Sequence, residues 1–502
     1  MLANKYFSKG NSFFQLRKYQ EAIKNYDVAI KCNPDFIEAY MNKGIALREL
    51  GQYQKAIEIF DTAIRYEPDL AKAYYAKGLS LYELGQYQEA IKNFDIAIKY
   101  KPDFAEAYVN KGMALRELGQ YQKAIEIFDT AIRYEPDLAE AYYSKGLSLY
   151  ELVQHQEAIK NFDIAIKYKQ DFAEAYVSKG MSLRALAQYQ EAIENFDLAI
   201  KYKPDFTLAY YSKGFSLSEL GQHQEAIKNF DTAIRYNPND AEAYYSKGLS
   251  LYELGQHQEA IKNFDTAIRY NPNDAEAYVN KGISLDELGQ YQEAIKNYDQ
   301  AIQYDSTNLG IYINRGVSLC ELGHHQEAIK NYDVAIKYKP DFVEAYVNKG
   351  ESLKALGHHQ EAIENYDIAI KYKPDFALAY VNKGNALKKL DKLLEAIENY
   401  DQAIKYKPDL PNAYNNKGTA LCTLEQYQDA IENFDLAIKY KPDFALAYVN
   451  KGAALKELGR HQEAMESCEL AVKYDYDDEY AYQLANELAK KLKKSNLHII
   501  TD

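Results

Sequence analysis

The 502-residue chain sets 60 Lys and Arg against 74 Asp and Glu, a formal charge of −14. Both signs are mixed along its length and no stretch forms a basic block, which argues against nucleic acid as the main ligand. No run approaches 18 apolar residues, so membrane insertion is not expected, and MLANKYFSKGNSFF lacks the basic start and apolar run of a secretory leader. The four cysteines, Cys32, Cys320, Cys422 and Cys468, lie far apart without disulfide or zinc spacing. That usage suits a reduced, cytoplasmic chain.

A glycine stands at 10, 44, 78, 112, 146, 180, 214, 248, 282, 316, 350, 384, 418 and 452, always 34 residues apart. An unslipped period of this size is the signature of a solenoid whose units stack only on their neighbours. Fourteen units fill 3–478, starting at 3, 37, 71, 105, 139, 173, 207, 241, 275, 309, 343, 377, 411 and 445. Almost nothing remains that could be a catalytic domain.

Unit 4, 105–138, serves as the reference. Ala107, Tyr108, Gly112, Leu115 and Leu118 recur at helical spacing and predict a first helix. After a break at Gly119-Gln120, Ala124, Ile125, Phe128, Ala131 and Ile132 predict a second. Glu135-Pro136-Asp137 ends it, because proline cannot continue a helix and the acidic residue suits the next helix start. Gly112 is expected to let the first helix approach Phe128 closely. Proline is replaced by Gln170, Ser306 and Tyr476 in three units, which predicts looser junctions there. Beyond the last unit, 479–494 reads as a capping helix with Ala481, Tyr482, Leu484, Leu488 and Leu492 on its packed side, and 495–502 as a flexible tail.

The pattern Tyr108-x2-Lys111-Gly112-x2-Leu115, Ala124-x3-Phe128, Pro136 resembles the tetratricopeptide repeat (TPR) family, with tyrosine in place of the family's tryptophan and lysine in place of its leucine. The resemblance implies an all-α, right-handed superhelical solenoid of fourteen helix-turn-helix repeats plus the cap. It also implies a concave groove, lined by the first helices, that binds peptides.

On that face lie Glu106, Val109, Asn110, Met113, Arg116 and Glu117, which share one side of the helix. Asparagine recurs at the Asn110 position as Asn42, Asn280, Asn314, Asn348, Asn382, Asn416 and Asn450, while Ser144, Ser178, Ser212 and Ser246 interrupt it and Ala76 breaks it. An amide offers both a donor and an acceptor, so such a ladder can hold a partner's backbone. It is similar to the asparagine ladder of the O-GlcNAc transferase superhelix. Tyr75, Tyr143, Tyr211, Phe215, Tyr245 and Leu249 predict an apolar trough in the earlier units. From unit 11, Glu351, Asn385 and Thr419 with Lys354, Lys388 and Lys389 predict a polar, lysine-bearing exit.

The clamp by which some TPR proteins hold the C-terminal carboxylate of Hsp70- or Hsp90-type chaperones needs lysine at the Val109 position with asparagine at the Met113 position. Asn11 and Asn385 are preceded by Phe7 and Val381, so no clamp is expected. Eight of the nine histidines fall at or beside the Tyr121 position in the inter-helix turn, without carboxylate or cysteine company, and predict no metal site. No Ser/His/Asp arrangement, phosphate loop or dinucleotide fingerprint occurs, so neither cofactor nor catalysis is expected. Antiparallel pairing within a unit places Lys111 opposite Asp129 and predicts an ion pair there. The expected function is a protein-interaction scaffold for an extended or helical segment. The alternatives are a bacterial effector delivered into a host cell to sequester a host protein, or the targeting subunit of a separate enzyme.

Overall fold

A computed structural model describes residues 1–475 and 478–491, and every described element is α-helical. Twenty-nine helices among the described residues form fourteen helix-turn-helix pairs and a closing helix. In unit 4 the first helix spans Ala105–Glu117 and the second Tyr121–Tyr134. By packing, the chain divides into two bodies, Met1–Leu254 and Gly255–Asp502, each a stack of hairpins.

The turn between the helices explains the break at Gly119. Its φ is +70°, in the left-handed region, where its N–H reaches Arg116 O at 2.8 Å and that of Gln120 reaches Leu115 O at 2.9 Å. The carbonyls left open at the helix end are thereby satisfied. Nine units place glycine at this position, whereas Arg17, Val153, Ala187, Asp391 and Glu425 adopt the same φ with a side chain. A β-branched residue there is strained by about 1–2 kcal/mol, and Val153 is also largely exposed, with no packing to offset the strain. Val153→Gly is therefore expected to stabilise unit 5 by about 1 kcal/mol, seen as slower amide exchange there. Asp391→Gly should gain less, since aspartate tolerates this conformation.

Within each hairpin the small residues set the approach. Ala107, Ala124, Phe128 and Ala131 are wholly buried, and a Cβ built on Gly112 would lie 2.5 Å from Phe128 Cε1. At the other end of the hairpin Tyr108 stacks on Tyr134, with centroids 5.6 Å apart, and donates to Pro102 O at 3.2 Å. The proline-free turn at Gln170 keeps the bonds of its neighbours: Lys169 N–H to Ala165 O at 2.9 Å and Phe172 N–H to Lys169 O at 3.2 Å. At Ser306 the Asp305 carboxylate accepts from the Thr307 N–H and hydroxyl at 2.9 and 2.7 Å, fixing the turn by side chain instead of ring. Tyr476 lies outside the described residues.

The expected Lys111–Asp129 pair is not formed. Lys111 Nζ meets Asp95 of the preceding unit at 2.6 Å, and Asp129 meets Lys145 of the following unit at 2.5 Å. Gly112 must face its own second helix, and the adjacent residue lies about 100° round the helix, which turns Lys111 toward the unit before. The same pair, with Arg315 for lysine once, recurs at all thirteen junctions between units. The aspartates are about half exposed, so each pair contributes only about 0–1 kcal/mol.

The closing helix, Glu479–Lys491, buries Ala481, Leu484, Ala485 and Leu488 on unit 14 and adds an ion pair between Glu487 and Lys456 at 2.8 Å. Leu492, the remainder of the 479–494 span and the 495–502 tail lie outside the described residues.

Candidate functional site: the first-helix face

In each body the first helix of every unit touches the first helix of the next, while among the described residues no second helix touches another second helix. Within each body the first helices thus form a continuous wall. Along it, the Asn110-type residue reaches back to the Val109-type or Met113-type residue of the preceding unit.

That contact divides the asparagines. Asn42 donates to Asn11 Oδ1 at 2.8 Å, Asn110 to Tyr75 Oη at 3.0 Å, Asn416 to Asn385 Oδ1 at 2.9 Å and Asn450 to Asn415 Oδ1 at 2.9 Å. These four tie one unit to the next. Asn280 donates to Glu276 O of its own helix at 3.0 Å. The side-chain amides of Asn314, Asn348 and Asn382, all half-buried, have no hydrogen-bond partner among the described residues. Their predecessors explain why: Val279 and Ile283 precede Asn314, and Ile313 and Val317 precede Asn348, all without a polar group to offer. Before Asn382 stand Val347 and Glu351, and the Glu351 carboxylate is already engaged by Lys354 and Tyr366.

The apolar positions are half-buried rather than open. Tyr75 and Tyr143 lie against Phe104 and Phe172, with ring centroids 4.7 Å apart in both pairs. Tyr211 Oη lies 3.2 Å from Glu242 and 3.4 Å from Ser246, and burial pushes its phenol up to about 12. Phe215 is covered by the Arg184 guanidinium at 4.7 Å, and Tyr245 and Leu249 are half-buried. At the Val109 and Met113 positions, Val317 in unit 10 is the large apolar residue most open to solvent among the described residues, at 41% exposure.

Polar residues at the Met113 and Arg116 positions have a role the sequence reading missed. In units 1, 9, 10, 11 and 12 the core aromatic is tyrosine, and its buried hydroxyl needs a partner. Tyr26 donates to Asn11 at 2.8 Å, Tyr298 to Asp286 at 2.7 Å, Tyr366 to Glu351 at 3.0 Å and Tyr400 to Asn385 at 2.8 Å, while Tyr332 lies 3.6 Å from Cys320 Sγ. Burial pushes the Asp286 carboxyl up, against the opposing hydrogen bonds from Tyr298 and Ser318. The signal was present: tyrosine replaces phenylalanine in the units whose first helices turn polar.

Of the lysines at the exit, Lys354 is held by Glu351 at 2.6 Å. Lys388 donates to Thr419 Oγ1 at 3.1 Å, and Lys389 is exposed. No group of three His, Cys, Asp or Glu residues is placed to hold a metal ion among the described residues, and no described helix is long and apolar enough to cross a membrane.

Stacked helical hairpins of 34 residues, joined through a wall of first helices, define a TPR solenoid. Family profiles agree: profiles described as tetratricopeptide repeat match 75–137, 111–172, 173–206, 246–308 and 445–478, and one described as TPR repeat matches 10–48, 44–85, 216–255, 318–357, 350–391, 384–424 and 418–459. The chain belongs to the tetratricopeptide repeat family. Comparison with curated proteins finds no match. Among solved structures it is similar to YrrB, a TPR protein with an unusual peptide-binding site (24% identity over 37% of this chain and 96% of that one, TM-score 0.34). It is also similar to yeast Tom70 (19% identity, 98% and 99% covered, TM-score 0.38) and to the APC/C hetero-tetramer Cut9–Hcn1 (14% identity, 91% and 96% covered, TM-score 0.41).

Proposed function

We propose that the chain is a non-enzymatic scaffold that holds an extended segment of a protein partner along the first helices of units 10–12. TPR repeats mediate protein–protein and peptide binding. The observation that carries the particular reading is the run of three consecutive units, at Asn314, Asn348 and Asn382, whose half-buried amides are unpaired within the chain. These amides reach solvent, so they are open to a ligand, and a peptide backbone, with a donor and an acceptor at every residue, pairs with them without a sequence requirement. The asparagine ladder thereby narrows from eight residues to three. Asn42, Asn110, Asn416 and Asn450 serve the stack instead. The effector and targeting-subunit readings gain no support from the fold.

The test uses a peptide selected from a random display library on the full chain, with affinity measured by calorimetry. Each lost hydrogen bond is worth about 0.5–1.5 kcal/mol, so the variant Asn314→Ala, Asn348→Ala, Asn382→Ala should bind about ten- to a thousandfold more weakly at unchanged helix content. The pair Asn416→Ala, Asn450→Ala should lower thermal stability with little loss of affinity. Unchanged affinity in the triple variant would refute the reading.

A further inference from the structure

The Arg116 position carries a cation in six units, and in five of them the chain itself supplies the counterpart. Arg48 lies 3.8 Å from Glu49, Arg116 3.2 Å from Glu117, Lys354 2.6 Å from Glu351 and Lys456 2.8 Å from Glu487, while Arg184 covers the ring of Phe215. Lys388, in unit 12, is the exception. It is half-buried, and its ammonium meets only the neutral hydroxyl of Thr419, with no carboxylate in reach among the described residues. The next position, glutamate in most units, is here Lys389, the one basic residue at that position in the fourteen units, and it too is unpaired. Two adjacent positive charges thus stand on the first-helix wall in unit 12 without a counter-charge, whereas the other cations at the Arg116 position are each engaged. Burial, and then the neighbouring Lys389, pull the Lys388 ammonium below the usual lysine range, as expected of a cation held without its counter-charge.

We infer that Lys388 and Lys389 receive an acidic side chain of the bound segment, so that the partner is an extended peptide with Asp or Glu at the position that passes unit 12. This rests on the reading of units 10–12 as the peptide-binding wall. Two features favour a side chain over a terminal carboxylate. The unpaired amides of Asn314, Asn348 and Asn382 lead up to Lys388, and the wall continues beyond it through units 13 and 14. A segment lying along this wall therefore passes the two lysines without having to end there. The site is separate from the chaperone-type clamp, since Val381 occupies the clamp's lysine position in unit 12.

The probe is a position-scanning set of fluorescent twelve-residue peptide pools, C-terminally amidated, with one position fixed as Glu, Gln, Lys or phosphoserine and the others randomised, read by polarisation on the full chain. Glu-fixed pools should bind at least fivefold tighter than the matching Gln-fixed pools, with Lys-fixed pools weakest. The preference should vanish in Lys388→Met, Lys389→Gln, whose Gln-fixed affinities stay near those of the parent chain. Asn314→Ala, Asn348→Ala, Asn382→Ala should weaken all pools alike. If that asparagine variant loses binding but Glu and Gln pools bind the parent chain equally, or the Glu preference survives in the lysine variant, the acidic-partner inference fails and the wall reading stands. Phosphoserine pools surpassing Glu, or a preference seen only with free C-terminal carboxylates in a parallel unamidated set, would also overturn it. If no pool binds the parent chain, or the asparagine variant binds every pool as well as the parent does, both fail.

Discussion

Gly112→Val is expected to open unit 4 locally, at a cost of about 2–3 kcal/mol. A Cβ there would sit 2.5 Å from Cε1 and 2.8 Å from Cζ of Phe128, a ring wholly buried between the helices and unable to swing aside. Helix propensity alone predicts the opposite sign, since glycine is the worse helix former. The sterics decide, and a second variant shows it: in a Phe128→Leu background, Gly112→Ala should become neutral or stabilising. Because a solenoid unfolds by units rather than all at once, the readout is amide exchange resolved to units 3–5. Unchanged protection in Gly112→Val would mean that the glycine ladder does not set the helix approach.

The second large effect concerns the polar residues beneath the core tyrosines. Glu351→Leu should cost about 1–3 kcal/mol, because it strips the buried Tyr366 hydroxyl of its acceptor and leaves Lys354 without its counter-charge. Adding Tyr366→Phe should recover much of that loss, since unit 5 already pairs Phe162 with Leu147 at these two positions. A double-mutant cycle on local exchange measures the coupling. Strict additivity of the two changes would deny the role assigned to Glu351.

These results sort what the sequence could and could not disclose. The fold was readable because a 34-residue period fixes the hairpin and because Gly112 opposite Phe128 can be satisfied in only one way. The Lys111 pairing was misread for a local reason: a residue next to an inward-facing glycine points to a different helix, and antiparallel counting within one hairpin cannot see the neighbouring unit. The asparagines are harder still. Asn348 and Asn416 are the same residue at the same repeat position, yet one is free and the other bonded. The difference lies 31 residues earlier, in Val317 against Asn385. Repeat-by-repeat alignment hides that dependence, whereas reading each unit against its predecessor exposes it. Lys388 stands out in the same way, by what its neighbours lack.

On the proposed function, partners lie on the first helices of units 10–12. Photo-cross-linking tests it most directly, with p-benzoylphenylalanine placed either at Val317 on the first-helix face or at Leu394 on a second helix. Both sites are solvent-exposed, at 41% and 68%, so any bias of access favours position 394 and works against the expected result. With a display-selected peptide bound, cross-links should form from position 317 and be nearly absent from 394. Equal yields from the two sites, or a preference for 394, would place the partner elsewhere than on the first helices.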